Sequence, residues 1–222
     1  MSLTPVSATE RTTAVVIGTG LSGLAVASEL RRHGIAAIIV SGLDVAGSGV
    51  NSGAALSTNT AALPRCDSAD AASLQERNEI LRHLRNYASS HQLDVRNTTR
   101  AIQLNAVDHG LADDLGGTSR RQWAVHTADG VLLADHIVVT RCGQSQLRRM
   151  VAELGITVGH NLAAAMRSIG IYLVGVGDLI TPTPKEVLRQ AKVVGQAISA
   201  RVNPGSVQAA LTGSFAAIPA PA

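Results

Sequence analysis

The chain has 222 residues, of which 45% are hydrophobic and 2% are aromatic, and its formal net charge is +3. This length can bury a core in one domain, and that core must be mainly aliphatic because aromatic residues are so scarce. Lysines and arginines are not interleaved with aromatic residues, which argues against a nucleic-acid partner. Neither a secretory signal nor an apolar run of about 18 residues is seen, so we expect a cytoplasmic protein without a membrane partner.

The first predicted elements form a strand–helix–strand unit. Residues 1–12 are polar and are predicted to be a flexible arm. A buried strand is predicted over Ala14 to Ile17 and a second one over Ile35 to Val40. The helix between them is predicted over Leu21 to His33, and Gly34 ends it. A unit of this kind implies that its two strands pair in parallel.

A long irregular segment separates this unit from the next elements. Residues 42–66 are rich in glycine, serine, asparagine and alanine, which is typical of a binding loop or a disordered segment. Ala69 to His91 has the apolar spacing of a long helix. The following "QLDVRNTT" is predicted to be a further strand of the main sheet.

The pattern then changes to a period of two residues, which predicts a small antiparallel meander at about 100–140. Its last two strands are joined by Asp129-Gly130, a strong hairpin signal. The end of the meander, Ile137 to Thr140, is expected to rejoin the parallel sheet.

The last part of the chain contains a predicted short helix after Gln146, a strand over Ile169 to Val174 and a helix over Pro184 to Arg201. Residues 204–222 are rich in alanine and proline and are predicted to be a mobile tail. We therefore expect one domain over residues 13–203.

The first strand ends in the glycine loop, Gly18-Thr-Gly20-Leu-Ser-Gly23. Gly18 permits a tight turn, Gly20 lets a pyrophosphate approach the backbone, and Gly23 lets the helix pack closely. The helix begins at Leu21 and Ser22, where free N–H groups and a partial positive charge suit phosphates. We predict a dinucleotide site here, with a tight structural turn as the alternative.

Ser41 stands at the end of the second strand, where a carboxylate commonly binds the ribose hydroxyls. A neutral hydroxyl contributes about 1 kcal/mol where a charged acceptor contributes about 1.5–3 kcal/mol, so we expect weak binding. Asp44 can substitute only if its loop curls back. No arginine follows Ser41 closely in the sequence, so the sequence gives little reason to expect binding of the 2′-phosphate of NADP.

The late strand ends in Gly175-Val-Gly177-Asp178, and this completes a recognisable order of glycine loop, long helix, meander and strand. The order resembles the FAD-binding half of flavoproteins with two dinucleotide-binding domains, the group of flavin-containing monooxygenases and thioredoxin-reductase-like enzymes. The resemblance implies an α/β fold, a Rossmann-like parallel sheet with helices on its faces and a small antiparallel β-meander. It also implies that Asp178 bonds a ribitol hydroxyl of FAD and that Gly175 and Gly177 permit close approach; the alternative is that Asp178 caps the last helix.

Three departures from that group affect the predicted chemistry. Ser41 replaces the acidic residue, "VVTRCGQ" replaces the usual Ala-Thr-Gly, and no second glycine loop lies between Thr140 and Ile171. About thirty residues cannot form the missing NAD(P)H domain. A C-x-x-C pair is also missing, and Cys142 is interpreted as a small hydrophobic residue, with a redox role as the alternative.

Two functions remain open. The first is an FAD-dependent oxidoreductase reduced to its flavin-binding domain, with weakly bound FAD, an unknown substrate and an external electron donor. The second is a non-redox dinucleotide-binding or scaffold protein, a degenerate flavoprotein acting as a subunit or sensor, with NAD(P) as an alternative ligand. A protein partner or homo-oligomer is expected in either case. No catalytic residue is assigned, and no metal site is predicted because the histidines and cysteines lack ligand spacing.

Overall fold

The computed structural model describes residues 8–43, 71–107, 122–140, 150–152, 162–176 and 182–204. The strands in these ranges are β1 (Ala8–Ile17), β2 (Ala37–Leu43), β3 (Asp94–Val107), β4 (Gln122–Thr127), β5 (Gly130–Thr140) and β6 (Ile171–Val174). The helices are α1 (Leu21–Arg32), α2 (Ala71–Ser90), α3 (Leu162–Ser168) and α4 (Pro184–Val202).

Five strands form a parallel sheet in the order β3-β2-β1-β5-β6. The central strand β1 is fully buried over its apolar end, and its Val15 lies opposite both Ile38 and Ile137. A strand that is apolar on both faces must be covered on both faces, which fits the continuous run of branched side chains in β1. The predicted α/β fold with a parallel sheet is confirmed.

The antiparallel meander consists of β3, β4 and β5, and it closes the sheet on itself. Gly130, at φ +148°, completes the predicted hairpin turn, and Asp129 Oδ2 accepts a hydrogen bond of 2.6 Å from Thr99 Oγ1. The end of β5 rejoins the parallel sheet as predicted, through β1 and β6. Because β5 pairs with both β4 and β1, strands β1 to β5 form a closed ring.

The largest differences from the predictions concern β1, β3 and α3, whereas the bounds of β2, α2 and β6 differ by two or three residues. Residues 8–12, predicted as part of an arm, belong to β1, where they pair with the first half of β5. The predicted strand at 92–99 and the first strand of the meander are one continuous strand, β3, which pairs with β2 at its start and with β4 beyond a register shift. Helix α3 was not predicted, because its alanine-rich sequence buries only Met166 and so shows little apolar periodicity.

The core is divided by the sheet. On one face of the sheet, the strands pack against α1, α2 and α4. On the other face, a second apolar cluster surrounds Trp123 and Ile137, and it includes side chains from the meander, residues 150–152 and α3. No helix within the described ranges is long and apolar enough to cross a membrane. Most of the predicted loop at 42–66 and nearly all of the predicted tail lie outside the described residues.

Candidate functional site

The glycine loop lies where β1 ends, and Gly18 is fixed there by the chain's own packing. Its N–H donates a 2.7 Å hydrogen bond to the carbonyl of Val40, and its φ is +121°. A Cβ on Gly18 would collide with Oγ1 of Thr140 at the end of β5. Glycine is therefore required at this position whether or not a ligand binds.

Gly23 is also required by packing, because a Cβ on this residue would collide with the carbonyl oxygen of Gly18. The same Cβ would lie 3.6 Å from Cγ1 of Val16 in β1. The first turn of α1 is thereby held directly against the loop and the strand. This contact is the close helix packing that the glycine spacing predicts.

Gly20 differs from both neighbours because nothing in the described chain requires glycine there. Its backbone is extended, at φ −80° and ψ −167°, a conformation that any residue adopts. A Cβ on Gly20 would have no described atom within 4 Å. The missing side chain leaves open space directly in front of the N-terminus of α1.

The N-terminus of α1 can hold an anion in that space. Gly20 is the N-cap residue and has no side chain to bond the first N–H groups, and the first turn contains no acidic residue. The N–H groups of Leu21, Ser22 and Gly23 have no intrahelical acceptor, since they belong to the first turn. Their partial positive charge is therefore available to a phosphate.

The late strand converges on the same helix turn. Gly175, which follows β6 at φ +67°, lies against α1, since a Cβ added to it would be 3.2 Å from Oγ of Ser22. The Gly175 N–H donates a 2.9 Å hydrogen bond to Oε1 of Gln190 in α4, which fixes the strand end. The first residue of the late glycine motif therefore lies beside the first turn of α1, while Gly177 and Asp178 lie outside the described residues.

Ser41 lies near the end of β2, and its hydroxyl is already engaged. Its Oγ donates a 2.9 Å hydrogen bond to the carbonyl oxygen of Thr99 in β3. The proton is therefore committed to the sheet, whereas the oxygen lone pairs can still accept a hydrogen bond. Asp44, the alternative acid, lies outside the described residues.

Arg100 is a candidate site residue that sequence reasoning missed. It lies opposite Ser41 in the pairing of β2 with β3, and it is exposed. The two residues are far apart in sequence, and a register shift follows Val40, so only the strand pairing reveals their proximity. The register therefore places an arginine beside the end of β2, and arginine side chains are common ligands of phosphate groups.

A cavity of about 520 Å³ opens beside the loop, between Thr19 of the loop and the facing surfaces of α2 and β3. Its polar wall includes Arg85, Ser89 and Asn97.

Within the described ranges there is no group of three or more histidine, cysteine or acidic side chains that could hold a metal ion. Cys142, for which two interpretations were open, lies outside those ranges.

Comparison with known proteins finds similarity in three dimensions only, since no family model and no curated protein matches the chain. Bacillithiol disulfide reductase Bdr (YpdA) from Staphylococcus aureus superposes with a TM-score of 0.53 and 13% sequence identity, over 86% of this chain and 99% of that one. THI4 from Thermovibrio ammonificans gives a TM-score of 0.54 and 16% identity, over 87% and 90% of the two chains. The chain therefore has a Rossmann-like α/β fold in common with these two proteins. At these identities the similarity concerns the fold alone, and at that level it confirms the predicted resemblance.

Proposed function

We propose that this chain binds FAD at the glycine loop and serves as the flavin-binding part of an oxidoreductase. The observation that carries the proposal is made at Gly20. Neither its backbone conformation nor the packing of the described chain requires a glycine at this position. Close approach of a phosphate to the helix N-terminus explains it. Bound FAD supplies the redox chemistry, and the chain supplies its position and its electrostatic surroundings.

The described residues suit the phosphate portion of such a ligand. The N–H groups of Leu21 and Ser22 donate to the pyrophosphate, while Gly18 and Gly23 hold the loop and helix in place. Ser41 accepts from a ribose hydroxyl, and its neutral oxygen makes this contact weak. By resemblance, Asp178 accepts from the ribitol chain, with Gly177 allowing close approach.

We further propose that the electrons come from an external donor. No second glycine loop lies between Thr140 and Ile171, so this segment provides no nicotinamide site of its own. One structure with the same fold is a disulfide reductase, and this supports the redox class. The substrate is unassigned, and a protein partner or homo-oligomer and a cytoplasmic location stay predictions.

The test compares the whole chain with the variant Gly20→Ser. We expect the purified wild-type protein to show flavin absorbance, or to acquire it during an FAD titration followed by fluorescence. Serine is a better N-cap than glycine, so the variant should be as stable as the wild type or more stable by a few tenths of a kcal/mol. Its hydroxymethyl group fills the space in front of α1, so FAD affinity should fall about tenfold or more.

The matched control is Ala200→Ser, which adds a hydroxyl on α4 far from the loop and should leave FAD affinity unchanged. Two results would contradict the proposal. One is a wild-type protein that stays colourless and does not respond to excess FAD. The other is a Gly20→Ser variant that binds FAD as tightly as the wild type.

A second candidate is a non-redox protein that binds NADP, and the position of Arg100 beside Ser41 favours it. A guanidinium suits a 2′-phosphate, and the neutral Ser41 does not repel one as a carboxylate at this position would. The same titration series distinguishes the candidates when it includes NAD⁺ and NADP⁺. Binding of NADP⁺ without FAD or NAD⁺, abolished by Arg100→Gln, selects this function.

A further inference from the structure

A second cavity, of about 380 Å³, lies beside β6 between α3 and α4. Its walls include no described residue of the glycine loop, β1 or β5, and Gln190, which bonds the Gly175 N–H, lies between this cavity and the candidate FAD site. Much of its surface is apolar and is formed by the side chains of Leu173, Val176, Val193 and Ala197. Its volume lies within the range of pockets that bind small organic molecules.

Tyr172 lines this cavity and carries an unpaired polar group. Its side chain is 1% exposed, and its hydroxyl is buried with no hydrogen-bond partner among the described residues. A buried donor without an acceptor is unfavourable, so an acceptor supplied by a ligand would be stabilising. Burial raises the pKa of Tyr172, and the hydroxyl therefore keeps its proton and remains a donor at neutral pH.

The surroundings of this hydroxyl are positively charged. The guanidinium carbon of Arg201 lies 6.0 Å from the Tyr172 ring centroid, and the charges of Arg201 and Arg167 both favour an anion there. Arg167 uses Nε to donate to the carbonyl of Ala163, at 3.3 Å, and its terminal nitrogens have no partner within the described residues. Tyr172 and Arg167 both line the cavity, and the charge of Arg167 acts on the Tyr172 hydroxyl.

The carboxylate of the cavity wall does not neutralise this charge. Glu186 accepts two hydrogen bonds from Arg189, of 2.8 and 2.9 Å, and one of 3.0 Å from Gln190. These bonds lower the pKa of Glu186 and engage it with its own helix neighbours. The cavity thus combines apolar walls with a cationic, hydrogen-donating end.

We propose that this cavity binds a small organic carboxylate, whose carboxylate group accepts a hydrogen bond from Tyr172 and pairs with Arg167. The apolar body of the ligand lies against Val176 and Val193. An anion without an apolar body would leave these walls hydrated, so a phosphate alone is a poorer match. The proposal does not depend on FAD binding.

The experiment titrates the full chain with 4-phenylbutyrate and with its neutral primary amide, using calorimetry. We expect saturable binding of the carboxylate and about tenfold weaker binding of the amide, since a hydrogen bond to a charged group is the stronger one. Tyr172→Phe and Arg167→Gln should each weaken carboxylate binding about tenfold. Tyr87→Phe and Arg82→Gln, which make the same changes on α2 outside the cavity, should have no effect.

Ala197→Leu provides a second route, because it places extra volume in the cavity while leaving every polar group intact. It should abolish carboxylate binding even if Tyr172→Phe does not fold. The proposal is overturned by equal binding of carboxylate and amide, by unchanged binding in the folded cavity variants, or by no binding up to about 10 mM. Because Gly20→Ser should retain carboxylate binding, the two proposals can fail separately.

Discussion

At the scale of single residues, the glycine loop depends on a hydroxyl from a distant strand. Thr140 Oγ1 is buried at the end of β5 and donates a 2.8 Å hydrogen bond to the carbonyl of Ile17. The same oxygen occupies the space next to Gly18. Thr140→Val keeps the shape and removes the donor, so the free energy of unfolding should fall by about 1–3 kcal/mol in urea denaturation.

Thr140→Ser is the matched control, because it retains the hydroxyl and loses only a methyl group. It should restore most of the difference, and FAD affinity should follow stability in the two variants. If Thr140→Val is as stable as the wild type, the hydrogen bond to Ile17 does not hold the loop.

Residue roles could be predicted where they depend on neighbours in sequence. The packing roles of Gly18 and Gly23 follow from a strand, a turn and a helix that are contiguous, so their spacing was sufficient. The proximity of Arg100 to Ser41 could not be predicted, because it depends on the pairing of β2 with β3 and on a register shift within it. Sequence spacing holds no information about such a shift.

At the scale of elements, Gly195 allows close contact between α1 and α4. Gly195, in the middle of α4, is buried, and a Cβ there would lie 2.9 Å from Cβ of Glu29 in α1. Alanine favours a helix by about 1 kcal/mol over glycine, but overpacking costs about 1–3 kcal/mol. Gly195→Ala should therefore lower the melting temperature despite its better helix propensity.

Gly195→Leu should lower it further, because the helices would have to separate. The control is Gln196→Ala, at the next and exposed position of the same helix. It changes helix propensity without touching the contact with Glu29, so it should be neutral or slightly stabilising. A more stable Gly195→Ala variant would show that the two helices can move apart freely.

Elements could be predicted where a local pattern is strong. The buried runs of β1 and β2 and the turn at Asp129-Gly130 each specify their structure within a few residues. Strand β3 was predicted as two pieces because its burial pattern is irregular where it changes partners. Its continuity depends on two different neighbouring strands, which a single-segment pattern does not encode.

At the scale of the whole molecule, the strand ring is closed by pairing between segments that are distant in sequence. Residues 8–12 are polar, and nothing in their composition distinguishes an arm from a strand. They are ordered by β5, since Ala8 lies opposite Gly130 and Thr12 opposite Ala134. The closed ring thus extends the parallel sheet that positions the glycine loop.

Arg96 in β3 joins β3 to the first half of β1, and it provides a test of how firmly residues 8–12 are held. Its guanidinium donates to both carboxylate oxygens of Glu10 in β1, at 2.7 and 2.8 Å, and also to Asp94 in β3, so that the pKa of Arg96 is raised. Partly exposed pairs of this kind contribute about 1 kcal/mol or less. Arg96→Gln should therefore leave global stability nearly unchanged and speed amide hydrogen exchange in residues 8–12 by up to about fivefold.

The matched control is Arg32→Gln, which breaks the 2.8 Å ion pair with Glu29 inside α1 and leaves β1 untouched. It should not change exchange in residues 8–12, whereas the amides of Ala14 to Ile17 should stay protected in both variants. Exchange of residues 8–12 at the rate of an unstructured peptide in the wild-type protein would mean that their pairing with β5 is open in solution. The ring would then be closed only by the apolar half of β1, where Ala14 to Ile17 pair with His136 to Val139 of β5 next to the glycine loop.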